Sequence, residues 1–284
     1  MHLSGAMGFS LFQSLNNKYI LVFSDIHDGV SYCNSKDNQI ADFLKSREKK
    51  NKILLEESTQ EEVNLQDLWP NAKHTQELKK LAFESKDINS FDIRPLLLPF
   101  SWELIEVDKK LGSHKLKEYL KLIDDFFNKS SVLYIKYVAK EVNKLKFLNK
   151  KNNLHLLEIL DQYIKFKKDN DKYMDMTLED LLKKNIDILH KINDIISYIM
   201  EWYIILLILN SEQNIIIHAG LAHSSRVIDM LKTYYKFKLI EQKGLNNIDN
   251  LTENTMNNPN ACIMLPNSVT NKFNKKSNFF SKYF

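Results

Sequence analysis

Residues 102–209 contain one glycine, Gly112, and no proline. Glycine and proline are the residues that ordinarily end helices, so a stretch this long without them points to a helical block. The apolar residues agree with that reading. Leu116, Leu120 and Ile123 line one face at three-and-four spacing, and Leu154, Leu157, Leu160 and Ile164 line another. Thr177, with Asp180 three residues on, has the pattern of a helix start ahead of Leu181, Leu182, Ile186 and Leu189.

The flanking segments read differently. Residues 18–24 are an apolar run rich in branched and aromatic side chains, the mark of a buried strand, and end in Asp25-Ile26-His27-Asp28-Gly29. Residues 39–44 have helical spacing, and residues 53–55 form a second short strand ending in Glu56-Glu57-Ser58. A helix over 75–84 precedes a third strand over 90–94, closed by Pro95. After the helical block the strand pattern resumes at 214–217 and runs into His218-Ala219-Gly220-Leu221-Ala222-His223-Ser224-Ser225, with both serines as candidate caps for the helix that follows. Residues 237–240 read as a further strand, 244–259 as an Asn-rich loop or disordered segment, and 261–265 as an edge strand. Strands alternating with helices predict an α/β fold whose core is a mostly parallel sheet covered by helices. The expected organisation is 1–101 and 211–243 as two halves of that core, 102–210 as an all-helical insertion, and 244–284 as a loop and tail.

Charge narrows the partner classes. With 40 basic and 36 acidic residues the net charge is +4, too small to imply a nucleic-acid partner. The exception is the tail, where Lys272, Lys275, Lys276 and Lys282 occur without an acid, read as a frayed terminus. The two cysteines, Cys33 and Cys262, are too few for a disulfide framework or a four-thiolate zinc site. Residues 1–13 lack the pattern of a secretory signal, so an intracellular, reducing setting is expected. The most apolar stretch, 195–209, is interrupted by Glu201, and its longest clean run is far below the roughly 20 residues of a membrane span. It reads as a buried helix. No specific nucleic-acid partner and no membrane span are expected.

Ionisable residues gather at the strand ends. In a parallel sheet these ends share one edge, where open α/β folds bind ligands. Asp25 and His27, two apart, fall on the same side of an extended chain and suit a divalent metal ion. Glu56 would join them if it shares the face of Leu54. Asp92 and Arg94 also share a face, Arg94 offering a fork of donors for an anionic group or a partner for a nearby acid. His74, just ahead of a helix, reads as solvent-accessible. His223 arrives near a helix N-terminus after the turn that Gly220 permits, and His218 precedes it.

Taken in order, Phe23-Ser24-Asp25-Ile26-His27, Leu54-Leu55-Glu56-Glu57, Phe91-Asp92-Ile93-Arg94 and Ile217-His218-Ala219-Gly220-Leu221-Ala222-His223 resemble the erythromycin esterase/ChaN/TraB/Tiki superfamily, above all its members in large DNA viruses. Ser24-Asp25 stands where that superfamily usually has Gly-Glu, and Ala222 where a second glycine is common. The resemblance implies an α/β core with helical insertions and a metal-dependent hydrolase site for a small-molecule or peptide substrate of unknown identity. Asp25, His27, Glu56 and His223 would hold a divalent ion, with His74, Asp92, Arg94 and His218 as catalytic candidates. Two alternatives are weighed beside it. The Asp25-x-His27 and His218-Ala219-Gly220 pieces also look like those of a calcineurin-type metallophosphoesterase, although its Gly-Asp and Asn-His-Glu elements do not occur. The other alternative is a non-catalytic viral structural or binding protein on the same fold, with the helical block as its binding surface.

Overall fold

The structure is a computed structural model that describes residues 1–27, 30–34, 38–58, 73–128 and 150–274. Its strands are β1 (His2–Ser4), β2 (Gly8–Gln13), β3 (Tyr19–Asp25), β4 (Ser31–Tyr32), β5 (Asn38–Gln39), β6 (Lys52–Ser58), β7 (Ile88–Asp92), β8 (Ile215–Gly220), β9 (Lys238–Gly244) and β10 (Asn260–Met264). The larger sheet has the order β7-β6-β8-β3-β2-β9. At its centre β8, which is buried throughout, pairs in parallel with β3 and β6, so that Phe23 and Leu55 both lie in register with His218. The protein is accordingly an α/β fold with a parallel centre, to which the antiparallel strands β2 and β9 add one side.

Strand alternation builds the core from one face of this sheet. Leu21 and Phe23 of β3, Ile53 and Leu55 of β6 and Ile216 of β8 are buried together with Phe9 and Leu11 of β2. The helix Ile40–Lys45 closes this layer with Ile40, Phe43 and Leu44, and the ring of Phe43 meets that of Phe23 edge-on at 5.8 Å. Burial of each such side chain contributes about 1.5–3 kcal/mol.

Several expectations need correction. Residues 8–13, unassigned from the sequence, form β2, whose buried residues include Phe9, Ser10, Leu11 and Phe12. The 261–265 segment is not an edge strand: β10 lies inside a second sheet of order β4-β10-β1-β5, antiparallel to β1 and parallel to β4. Residues 244–259 carry a short turn of helix at Ile248–Asn250 and another at Glu253–Asn257, and Asn246 is buried. The chain beyond them is docked rather than frayed, because Val269 and Phe273 enter the core and Lys272 lies over the Tyr19 ring at 4.1 Å. Lys275, Lys276 and Lys282 lie outside the described residues. Cys33 and Cys262, expected as thiols in a reducing setting, are joined in a disulfide.

Two compact units divide the described residues, one within 1–57, 73–91 and 207–274, the other made of Ser58 with 92–128 and 150–206. The second unit is helical. Leu116, Leu120 and Ile123 are buried as their spacing predicts, and the Thr177 hydroxyl accepts the Asp180 N–H at 3.2 Å to start the helix Leu178–Lys184. The helix Lys150–Asp169 turns a different face inward from the one expected. Ile159, Tyr163 and Phe166 are buried, whereas Leu154, Leu157 and Ile164 are about half exposed. The buried face carries two aromatic rings, while Asp161 interrupts the leucine row.

The helix Asp187–Asn210 is long and apolar enough to cross a membrane by length and composition, yet 78% of its most apolar 18-residue window is buried inside the protein. That is the pattern of a core helix. Its C-terminal carbonyls are capped within the first unit by Lys18, whose ammonium donates to the carbonyls of Ile208 at 2.6 Å and Ser211 at 2.8 Å. Burial, with Lys52 nearby, pulls the Lys18 ammonium down to about 8.

Candidate active site at the carboxyl edge of the parallel strands

The ends of β3, β6 and β8 converge in the first unit, and six of the eight singled-out side chains belong to this cluster or to its immediate support. Asp25, the last residue of β3, follows Leu21 and Phe23 on the core face and is almost fully buried. Its Oδ2 receives His74 Nε2 at 2.6 Å and lies 3.4 Å from His27 Nδ1. Glu56 of β6 shares the opposite face with Leu54, as alternation requires. Its Oε2 accepts the Gly220 N–H at 2.7 Å and lies 3.8 Å from His27 Nε2, while its Oε1 lies 3.4 Å from His223 Nε2. His27 thus bridges two carboxylates that leave their strands on opposite faces.

Proton positions follow from the partners. A carboxylate only accepts, so His74 carries its proton on Nε2, and its Nδ1 accepts the Tyr32 hydroxyl at 2.9 Å. Both His27 nitrogens face carboxylates, which makes His27 an imidazolium. Burial acts against that charge, but the hydrogen bonds to Asp25 and Glu56 outweigh it and raise His27 to about 10. Asp25 is the counterpart: burial pushes its carboxyl up, while the hydrogen bonds from His27 and His74 hold it down at about 2. Among the described residues, Asp25 Oδ1 is buried and accepts no hydrogen bond.

Two glycines make room. A Cβ on Gly220 would stand 2.7 Å from His27 Nε2 and 3.3 Å from Glu56 Oε2, so only glycine lets His27 lie over the end of β8. Gly5 has φ +98°, and a Cβ there would stand 3.0 Å from the Cβ of His74. The Gly5 carbonyl accepts His218 Nε2 at 2.8 Å. Burial drives His218 down to about 4 despite the Asp25 charge, so the ring is neutral near neutral pH. His218 therefore supports the site from the core side.

His74 departs from the expected accessible position. It lies in the first turn of the helix Lys73–Glu84 with no exposed surface, because the Tyr32 hydroxyl and Asp25 hold it inward. Asp92 and Arg94 fall in the second unit. The strand ends at Asp92, and Arg94 opens a 3₁₀ turn with Pro95, so the two do not alternate along one strand as expected. Arg94 grips Asp92 through Nε at 2.8 Å and a terminal nitrogen at 2.9 Å. Ser224 and Ser225 are not caps: their hydroxyls donate to the Leu221 carbonyl and to Asn247 Oδ1. Asp28 and Gly29 lie outside the described residues, as does the side chain of Glu57.

Sequence reasoning missed Tyr32 and Gly5. Tyr32 reaches His74 from β4, which is held by pairing with β10 nearly at the other end of the chain, and no local pattern announces that. Comparison with protein-family models, with curated proteins and with solved structures finds no match to this chain.

Proposed function

We propose that the protein is a metal-assisted hydrolase whose divalent ion is held by Asp25, His27, Glu56 and His223. The observation that carries this reading is the run of close approaches His27–Asp25 at 3.4 Å, His27–Glu56 at 3.8 Å and His223–Glu56 at 3.4 Å, made by side chains from two strand ends and a helix start at the carboxyl edge of the parallel strands. The donor set fits the ion. Two carboxylates and two imidazoles suit a hard-to-borderline cation, and the buried Asp25 Oδ1 is an oxygen donor without a hydrogen-bond partner among the described residues. When bound, such an ion supplies a Lewis acid and acidifies a water for attack on an acyl or phosphoryl centre.

The chain's own residues have distinct tasks in this reading. His74, itself fixed by Tyr32, orients Asp25 and strengthens it as a donor, the role of a supporting partner in metal sites. His27 is the most open member, its side chain 21% exposed, and its proton occupies the space between the carboxylates until a cation competes for it. His223, beside Glu56 at the start of the helix Leu221–Asp229, supplies the second imidazole of the ligand set.

The test is retention of Mn²⁺, a cation that disfavours sulfur, by the full chain after chelator treatment, together with turnover of carboxyl-ester, phosphoester and peptide substrates. About one Mn²⁺ per chain is expected in wild type, with a large loss in Glu56→Gln and His223→Ala. Equal occupancy in Glu56→Gln would remove Glu56 from the ligand set. Absence of both bound metal and turnover would refute the proposal.

A further inference from the structure

We propose that His2, Cys33 and Cys262 form a separate metal site, which takes a thiophilic cation of the zinc class when the two sulfurs are reduced. The imidazole and the two sulfurs lie within 4.8 Å of one another, although the residues come from β1, from the end of β4 and from β10. Sulfur and imidazole together select zinc-like cations over magnesium, calcium or manganese. The Asp25 cluster contains no sulfur and so lacks the thiolates that set this site apart.

The backbone holds these ligands together without help from the disulfide. β1 and β10 pair antiparallel with Ser4 opposite Cys262 and His2 opposite Met264. By strand alternation His2, Ser4, Cys262 and Met264 share one face. β4 pairs with β10 through Ser31 with Asn260 and Tyr32 with Ala261, which brings Cys33 and Cys262 level as the next pair. The Cys33 N–H donates to the Ser4 hydroxyl at 3.2 Å, and the Ser31 N–H to the Pro259 carbonyl at 2.8 Å. Reduced thiols therefore remain side by side, with Cα atoms 4.9 Å apart.

The fit is close. Around tetrahedral zinc, with Zn–S of about 2.3 Å and Zn–N of about 2.0 Å, ligand atoms stand roughly 3.5–3.8 Å apart. Once the disulfide opens, the two sulfurs have to part to that spacing, which Cα atoms 4.9 Å apart permit. Three protein ligands leave a fourth position for water beside the exposed Met264. Disulfide and metal are then alternative occupants of the same two sulfurs. A dithiol reductant breaks the S–S bond, passing two electrons and two protons to the sulfurs and becoming a disulfide itself. The cation then displaces both thiol protons as it forms two metal–sulfur bonds.

The experiment titrates the phosphine-reduced full chain with Cd²⁺, the spectroscopic stand-in for zinc, and follows the ultraviolet thiolate-to-metal charge-transfer band. The chain has only two cysteines, so this band is blind to metal at the Asp25 cluster. A band saturating at about one Cd²⁺ per chain and displaced by Zn²⁺ is expected. It should be absent from the oxidised protein and from Cys262→Ser, while the exposed-site variant His2→Ala should bind on the order of tenfold more weakly. No band in the reduced wild type, or a His2→Ala titration identical to wild type, would overturn the proposal.

Discussion

Replacing Glu56 by glutamine removes one negative charge from beside His27 and changes little else. The amide oxygen can still accept the Gly220 N–H that the carboxylate accepts at 2.7 Å, so β6 keeps its tie to the end of β8. The lost charge lies 3.8 Å from His27 Nε2. At an effective dielectric constant near 20, unit charges about 4 Å apart interact by about 4 kcal/mol, and one pKa unit is about 1.4 kcal/mol. That sets an upper bound near 3 units. Partial exposure of His27 screens the interaction, and Asp25 continues to hold the proton from the other side at 3.4 Å. In metal-free protein His27 should therefore titrate about 1–2 units below the wild-type value of about 10. Nitrogen NMR of labelled histidine, assigned with a His27→Asn variant, reads the titration directly. A His27 curve within a few tenths of a unit of wild type would refute the bridging geometry on which the site rests.

Two further outcomes follow from the same cluster. The His27 proton affinity is raised in the fold, so its stabilisation is complete below its ordinary value of 6.5 and is lost as pH rises through about 10. His218 is depressed to about 4, so stability also falls as pH drops from 6.5 towards that value, when the unfolded chain gains a proton that the folded chain refuses. Urea midpoints of metal-free protein should peak between these two declines, and His218→Leu should flatten the acid side. Gly220→Ala, whose Cβ would stand 2.7 Å from His27 Nε2, should displace His27 and cost about 1–3 kcal/mol of stability. Its metal retention should fall further than that cost explains; a stable Gly220→Ala with full Mn²⁺ occupancy would contradict the placement of His27.

What was legible in the sequence followed from short-range pattern. Three parallel strands announced themselves as apolar runs, and each ended where an acid or histidine appeared, which was enough to bring Asp25, Glu56 and His218 to one edge. The buried state of His74 was not legible, because what buries it is Tyr32, set in place by pairing with β10 more than two hundred residues later. The same long-range pairing makes β10 interior and brings Cys33 to Cys262. For Asp92 and Arg94 the ion pair was legible as one of two readings, but the strand bounds were not: the strand stops at Asp92, and Arg94 opens a 3₁₀ turn with Pro95 and turns back on Asp92 instead of alternating with it. In the helix Lys150–Asp169 the leucine row was visible, but the face carrying Ile159, Tyr163 and Phe166 is the one buried.

The glycine at position 220 connects topology to chemistry. β8 lies between β6 and β3, so Gly220 stands between the strand ends that carry Glu56 and Asp25. Alternation sends those carboxylates to opposite faces of the sheet, and one imidazole can meet both only by lying across the end of the strand between them. Any side chain at 220 would fill that passage, as the 2.7 Å separation from His27 Nε2 makes plain. Gly220 also caps the following helix, and its N–H fixes the Glu56 carboxylate there, where negative charge is favoured by the helix dipole. In a chain with six glycines, this one provides the opening through which a buried carboxylate on one face and a helix-anchored carboxylate on the other act as a single site.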